Sequence, residues 1–479
     1  MAEAAIAAVS ADERARPRLT WFEGFLFSLT MPAALIATLG YSIGSLGAWH
    51  ATLLWGVSML IALLANRAYT ELAAMFPEKP GGISLYATEG WRSRFALAGP
   101  VATFGYWFAW SSSMAVYAGI VGSLAQAQWF PAETWVRQVG FVDVTFPRLV
   151  AAGVLVLVWA ANMLGLRPTM WVAYVTAAML LVPLAAFMLL PFVTGEWSAA
   201  SFTGALDDAG QPWGGWKLAL VWLYVMCWTS LGVETCATFT PEYRDPIRDS
   251  ARALRAAAVF SLVVFVVFPL GAAGAAGETA IARDPVTFYG PAFDRLAGGG
   301  GDIVVALVIG SLLLVLLTCM ADSSRALYGM SADRTTIRQF HQLNRFGMPS
   351  RAMTVDLLLN IALVFLLGST LAIVAAGNLG YVLAHVFALS ALLLLRHDRP
   401  QWPRPIRLGR AEVLAVALLA AALTVLLTVG SVSFELTGYG GRDELATAIA
   451  LLLGSIVLYA YRRVIQDREP LRLRDPPQL

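Results

Sequence analysis

Apolar residues run along this chain in blocks of about 20, separated by short polar gaps. The pattern is neither the two-residue alternation of a half-buried strand nor the narrow stripe of a soluble amphipathic helix. Blocks of this length match helices that cross roughly 30 Å of hydrocarbon. They fall at roughly 21–46, 50–74, 96–126, 147–166, 169–194, 217–240, 252–276, 301–333, 352–369, 371–395, 411–432 and 442–462. The expected fold is an all-α polytopic membrane protein with twelve transmembrane helices and both termini on one side. Composition agrees: of 479 residues, 58% are hydrophobic and only 13% charged, with a mean hydropathy of +0.67. A soluble chain of this length would divide into two or three domains with charged surfaces.

The net charge of +2 conceals a strong asymmetry. Gaps on the side of the termini read "PEYRDPIRDSARALR", "SADRTTIRQFHQLNRFGMPSR" and "RHDRPQWPRPIRLGR". Every Lys and Arg falls on that side or at its edge except Arg137, Arg148, Lys217, Arg283, Arg295 and Arg442. This is the positive-inside pattern, so both termini are expected in the cytoplasm and the chain in the plasma membrane of a bacterium. Such basic runs also suit anionic lipid or a partner, with a solvated inner face as the plainer alternative. The first twenty residues hold no sustained apolar core before a small-residue cleavage site, so no cleaved signal peptide is expected.

Most spans are plain Leu/Ala/Val helices, and two depart from this. The first holds "SLTMPAALIATLGYSIGSLG", where Pro32 removes a backbone donor and clashes with the preceding turn, predicting a kink or break near residues 30–35. The sixth holds "CWTSLGVETCATF", where Gly232 weakens the helix and Thr229, Ser230 and Thr235 can satisfy carbonyls released by unwinding. The two occupy equivalent places if spans one to five and six to ten are repeats of opposite orientation. Interrupted helices at matching positions point to a transporter site at the bilayer midplane. Free N–H groups there suit a carboxylate and free carbonyls an ammonium or cation, and an amino acid carries both charges. The plain alternative is a proline kink and a glycine packing spot in ordinary helices. The corresponding organisation is an N-terminal tail (1–20), a first five-helix repeat (21–194), a second with its outer loops (195–395), two peripheral helices (396–464) and a C-terminal tail (465–479).

Three motifs resemble those of the amino acid–polyamine–organocation (APC) superfamily of secondary transporters: "AYTELAAMFPEKPGGISLYATEGW", "WTSLGVETCATFTPEYRDPIRDSARAL" and "SSRALYGMSADRTTIRQFHQLNRFGMPSRAM". Their order and spacing span most of the chain. The resemblance implies a LeuT-type fold of five plus five inverted-repeat helices, with helices 1 and 6 interrupted and two peripheral helices. It implies transport of amino acids or related amines by alternating access, driven by protons, Na⁺ or exchange. By position, Met31, Ala33, Ala34, Leu35 and Ile36 would form the broken backbone facing a substrate carboxylate. Trp228 would be an occluding aromatic, Ser230 and Leu231 would offer carbonyls to the ammonium, and Glu234 would be the acid after the break. Many relatives carry Gly-Ser-Gly in the first span where this chain has Ala33, Ala34 and Leu35, and the added Cβ atoms restrict close backbone approach. "TMPAALIATLGY" resembles the glutamate/GABA-exchanger branch, which also lacks those glycines. The fifth span offers no lysine for the coupling role that some relatives give one.

Among titratable candidates, Glu234 lies mid-span, where a carboxylate must be protonated, water-facing or paired. It is expected to serve proton coupling or cation binding, or to be a protonated structural carboxyl. Asp322 is expected to pair with Arg325 one turn later, with a cation or proton site against the first span as the rival. His385 reads as a satisfied core histidine, with titration near neutral pH as the alternative. In the third span, Tyr106 and Trp110 share one face, suited to a cation–π cage for a substrate ammonium or to interhelical packing. Cys227, Cys236 and Cys319 lie inside apolar runs without metal-ligand spacing, so buried free thiols are expected and no metal or cofactor. No HExxH, intramembrane acid dyad, Cys–His pair or nucleotide loop is present in the sequence. An enzyme is therefore not expected, nor ATP-driven transport or nucleic-acid binding. The expected partners are a small amino acid or amine and membrane lipid, with homo-oligomerisation left open.

Overall fold

A computed structural model describes residues 19–140, 142–202, 215–366 and 370–476, and expectations for most of the N-terminal tail lie outside these residues. Its helices fall where the apolar blocks predict. The first span is built from α1 (Trp21–Ser28) and α2 (Thr30–Leu46), the second is α3 (Ala48–Met75), and a short α4 (Gly82–Trp91) follows. Spans three to five are α5 (Ala98–Trp129), α6 (Phe146–Met163) and α7 (Leu166–Thr194). The sixth starts as α8 (Trp216–Ser230) and continues as a 3₁₀ helix over Leu231–Glu242, and the seventh is α9 (Pro246–Ala276). Short helices α10 (Glu278–Arg283) and α11 (Tyr289–Ala297) precede the eighth span, α12 (Gly301–Ala332). The rest are α13 (Ser350–Leu366), α14 (Thr370–Asp398), α15 (Arg410–Val432) and α16 (Arg442–Ala460), the last ending in a turn of π-helix.

Among the described residues, eleven helices are long and apolar enough to cross a membrane, and α13 supplies a shorter twelfth apolar helix. A β-hairpin also interrupts the all-helical expectation, pairing β1 (Val136–Val139) with β2 (Val142–Thr145) between spans three and four. Valines alternating with polar residues in β2, valines at both ends of β1 and a left-handed Gly140 (φ 64°) suit it.

Burial sorts the helices. Spans one, three and six are almost wholly enclosed, whereas α6, α15 and α16 expose most of their sides. Apolar residues such as Leu157, Trp171, Val193 and Val457 remain exposed on the outer helices, as lipid requires. The buried spans approach through small residues. Gly105 of α5 lies against Gly380 of α14, where a Cβ on Gly105 would come within 2.6 Å of the Gly380 carbonyl oxygen. Gly122 of α5 meets the Pro147 backbone of α6 in the same way. With lipid as apolar as leucine, such close backbone contact is what drives helices together.

At the basic face several charges are paired and others remain exposed. Glu71, fully buried at the end of α3, accepts from Arg396 and from the Leu408 amide (2.8 Å), and lies 3.4 Å from Arg404. Glu89 of α4 pairs with Arg399 at 3.0 Å and Arg92 at 3.4 Å. The C-terminal segment is strapped across this face. The Ala96 amide donates to Leu473 and the Asp475 amide to Arg92, both at 2.8 Å, and Asp475 pairs with Arg463 at 3.0 Å.

Candidate functional site

The two irregular spans meet. In the first, Pro32 cannot donate to Ser28, and the helix is interrupted at Leu29, just beyond the carbonyl that the proline ring would strike. In the sixth, the α-helix gives way at Leu231 to twelve residues of 3₁₀ helix, a geometry seldom held for more than three or four. With three residues per turn, Glu234 comes to lie on one edge and Thr235 and Thr238 on the next. Ser28 donates to the Val233 carbonyl at 3.2 Å, and Leu19, just before α1, exchanges backbone bonds with Glu242 and Arg244. At Gly232 the spans pack tightly, and an added Cβ would collide with the sulfur of Met31. The glycine thus leaves room for the Met31 side chain of the first span.

Beside this junction lies a small cavity of about 20 Å³, room for roughly one water. Met31 closes one side, and Trp110, Ser113 and Tyr117 of α5 form another. Trp228 and Thr229 come from the end of α8, Val315 and Cys319 from α12, and Tyr381 from α14. Tyr117 and Trp228 stack with ring centres 5.8 Å apart, and Tyr381 meets the Trp110 edge at 6.5 Å. Among the described residues, no Lys, Arg or His lines this cavity.

Two fully buried carboxylates lie behind its wall, Glu234 against Tyr381 and Asp322 one turn from Cys319. Glu234 Oε1 accepts from Tyr106 at 3.0 Å and Tyr381 at 3.5 Å, and Tyr106 also lies 3.4 Å from the Thr238 hydroxyl. Asp322 Oδ1 accepts from Thr235 at 3.3 Å. The second oxygen of each acid has no partner among the described residues, nor do Ser230 Oγ and Trp110 Nε1. Two buried acids with open lone pairs, neither in an ion pair among the described residues, form an arrangement suited to accept a proton or hold a cation.

The structure brings Met31, Tyr106, Trp110, Trp228, Glu234 and Asp322 into one locality. It does not give the unwound backbone expected over residues 31–36. Met31, Ala33, Ala34, Leu35 and Ile36 lie within α2, because a proline in the first turn of a helix is tolerated and the disturbance falls before it. Of these five, only Met31 reaches the cavity. The Ile36 carbonyl is bonded by Tyr289 of α11. Ser230 and Leu231 sit at the α-to-3₁₀ transition, buried and adjacent to the cavity wall rather than lining it.

The expected Asp322–Arg325 pair is also absent. Arg325 reaches Glu242 at 2.9 Å, which leaves Asp322 facing the 3₁₀ segment. His385 is buried with Nδ1 2.7 Å from the Tyr69 hydroxyl, and Cys227, Cys236 and Cys319 are free and buried as expected.

Several residues escaped the sequence reading. Tyr381 and Tyr117 each looked like one more aromatic in an apolar helix. Asp356 is the larger omission. Fully buried in α13, it accepts from Trp107 (2.9 Å), Ser111 (2.7 Å) and Ser323 (2.8 Å), and Asn360 one turn on donates to Ser111 at 3.2 Å. Trp107 and Ser111, the stripe of α5 beside Tyr106 and Trp110, therefore serve a third buried carboxylate. The signal was present as an Asp and an Asn four apart in an otherwise apolar run.

The match to known proteins extends over nearly all of this structure. The amino acid permease family matches residues 19–454. The glutamate/serine transporter AimA of Bacillus subtilis (strain 168) is 24% identical over 420 residues, covering 80% of this chain and 73% of its own. A putative arginine/ornithine antiporter of Escherichia coli (strain K12) is 26% identical over 359 residues, covering 72% of this chain and 74% of its own. The chain, a multi-pass membrane protein, belongs to the amino acid permease family of the APC superfamily.

Proposed function

We propose that the protein is a secondary transporter that moves amino acids across the plasma membrane by alternating access, coupled to protons or to exchange, with both termini in the cytoplasm. The observation that carries this reading is the pair of buried acids, Glu234 and Asp322, each with an oxygen that no described residue bonds, behind the wall of an aromatic-lined cavity where the two interrupted spans meet. In this reading Glu234 takes up and releases the coupling proton. Its bonds to Tyr106 and Tyr381 tie that event to α5 and α14, which wall the cavity. Met31, Trp110, Tyr117 and Trp228 shape the substrate space. The first five spans and the next five act as two halves of opposite orientation.

A related reading has an organic amine as the substrate. It is favoured by the continuous helix over residues 31–36, which offers little free backbone to a carboxylate, and by the cavity wall of aromatic rings without a basic side chain. Counterflow in proteoliposomes separates the two. Vesicles preloaded with a mixed amino acid pool should accumulate labelled zwitterions, and unlabelled amines lacking a carboxylate should not compete. Competition by amines alone would overturn the amino acid reading and select the amine one.

A further inference from the structure

Two exposed arginines of α9, Arg252 and Arg255, differ from the ion-paired arginines of the basic face. Arg67, Arg92, Arg94, Arg325, Arg396 and Arg399 each pair with a carboxylate. Arg252 and Arg255 are exposed and, among the described residues, have no such partner. The nearby acids are engaged elsewhere: Asp245 caps α9 through the Arg248 amide at 3.0 Å and lies 3.7 Å from the Arg248 side chain, and Asp249 accepts from the Asp245 amide at 3.2 Å.

The pair borders an open groove of about 530 Å³, whose other wall is Trp21, the first residue of α1. The 31 residues of α9 span about 46 Å, more than roughly 30 Å of hydrocarbon, so its first turns reach the headgroup layer. Tryptophan favours that same level. One turn beyond Arg255 begins a stripe of exposed apolar residues on the same face, Val259, Val263 and Val266. A cationic pocket at headgroup height thus opens onto an apolar track along the helix.

We propose that Arg252, Arg255 and Trp21 form a docking site for the phosphate headgroup of an anionic phospholipid, with an acyl chain lying along Val259, Val263 and Val266. Two guanidinium groups one turn apart match a phosphate by charge and by fork geometry. The bound lipid bridges α9 to α1, the short segment on the terminal side of the first-span break.

The test is the melting temperature of the full-length protein in neutral detergent with added phosphatidylglycerol, phosphatidylcholine of the same chains, or glycerol phosphate. For the wild type, phosphatidylglycerol should raise it by about 3 °C or more, and the other two should leave it unchanged. Arg252→Gln/Arg255→Gln should abolish the shift, whereas Arg345→Gln/Arg351→Gln, which removes equal charge from another exposed part of the basic face, should preserve it. An equal shift with phosphatidylcholine, or equal loss in both double variants, would overturn the site. A shift with glycerol phosphate would assign the pocket to a soluble phosphate. A lipid response that emerges only in Asp12→Asn/Glu13→Gln would assign the arginines to the chain's own N-terminal segment.

Discussion

Gly232 and Met31 give the sharpest statement at the scale of single residues. A Cβ at position 232 meets the sulfur of Met31, the mobile end of a flexible side chain, so the protein can accommodate it by pushing that side chain toward the cavity. Gly232→Ala should therefore fold, with a stability loss of about 1–3 kcal/mol, and should lower uptake several-fold. Gly232→Ala/Met31→Ala should recover part of that loss, because the clash is removed. Uptake by the double variant at or below that of the single one would show that the glycine acts through something other than this contact. Asp356 lends itself to a different comparison. Three donors converge on it, so Asp356→Asn places an amide N–H where a donor now points and loses charge-assisted bonds. The variant should be less stable in a thermal melt than Ser111→Ala, which removes only one of the three bonds. The order reversed would mean that the carboxylate is not the hub of the cluster. Neither feature was legible from residue type alone. The glycine was recognised as a helix weakener but its partner was unknown, and the aspartate sat in a span that looked ordinary.

The elements themselves were far more legible, because length and polarity settle where a helix can cross lipid. The described helices follow the apolar blocks from Trp21 to the last span, whereas which spans are enclosed and which face lipid emerges only from the packing. Local backbone response was less so. Pro32 predicts a kink or break near residues 30–35, and the interruption falls just before that window, at Leu29, because the missing donor disturbs the turn before the proline. In the sixth span the expected break became a long 3₁₀ helix, a different solution that still releases Glu234 and Thr235 from α-helical register. Helix contact gives a further test. Gly105 and Gly380 allow α5 and α14 to touch backbone to backbone, and neither backbone can yield as a methionine side chain can. Gly105→Val should abolish recovery of monodisperse protein or lower the melting temperature by many degrees, in contrast to the mild Gly232→Ala. Normal folding of Gly105→Val would mean the helices can separate without cost.

Across the whole molecule, the basic face is where the sequence reading was coarsest. Charge sign gave an expected sidedness but not the ion pairs, some of which join residues hundreds of positions apart, as with Glu71 and Arg396, where no local pattern records the pair. Breaking a buried pair leaves an uncompensated charge, so Glu71→Gln should destabilise the protein by about 3–5 kcal/mol. A change within the range of an exposed pair, below about 1 kcal/mol, would contradict the buried network. The opposite end closes through α11, whose Tyr289 bonds Ile36, while the C-terminal segment closes over the basic face. Between the two lie the junction of the interrupted spans and its two acids.

The most direct test of transport coupled through that junction is uptake of labelled amino acids into proteoliposomes across a range of external pH under an imposed inward proton gradient. Wild type and Glu234→Gln would be compared at matched reconstitution. Gradient-stimulated uptake with a pH dependence that disappears in Glu234→Gln, leaving gradient-independent exchange, is the expected result. Identical pH profiles and equal gradient stimulation in the two proteins would contradict it and remove Glu234 from the coupling step.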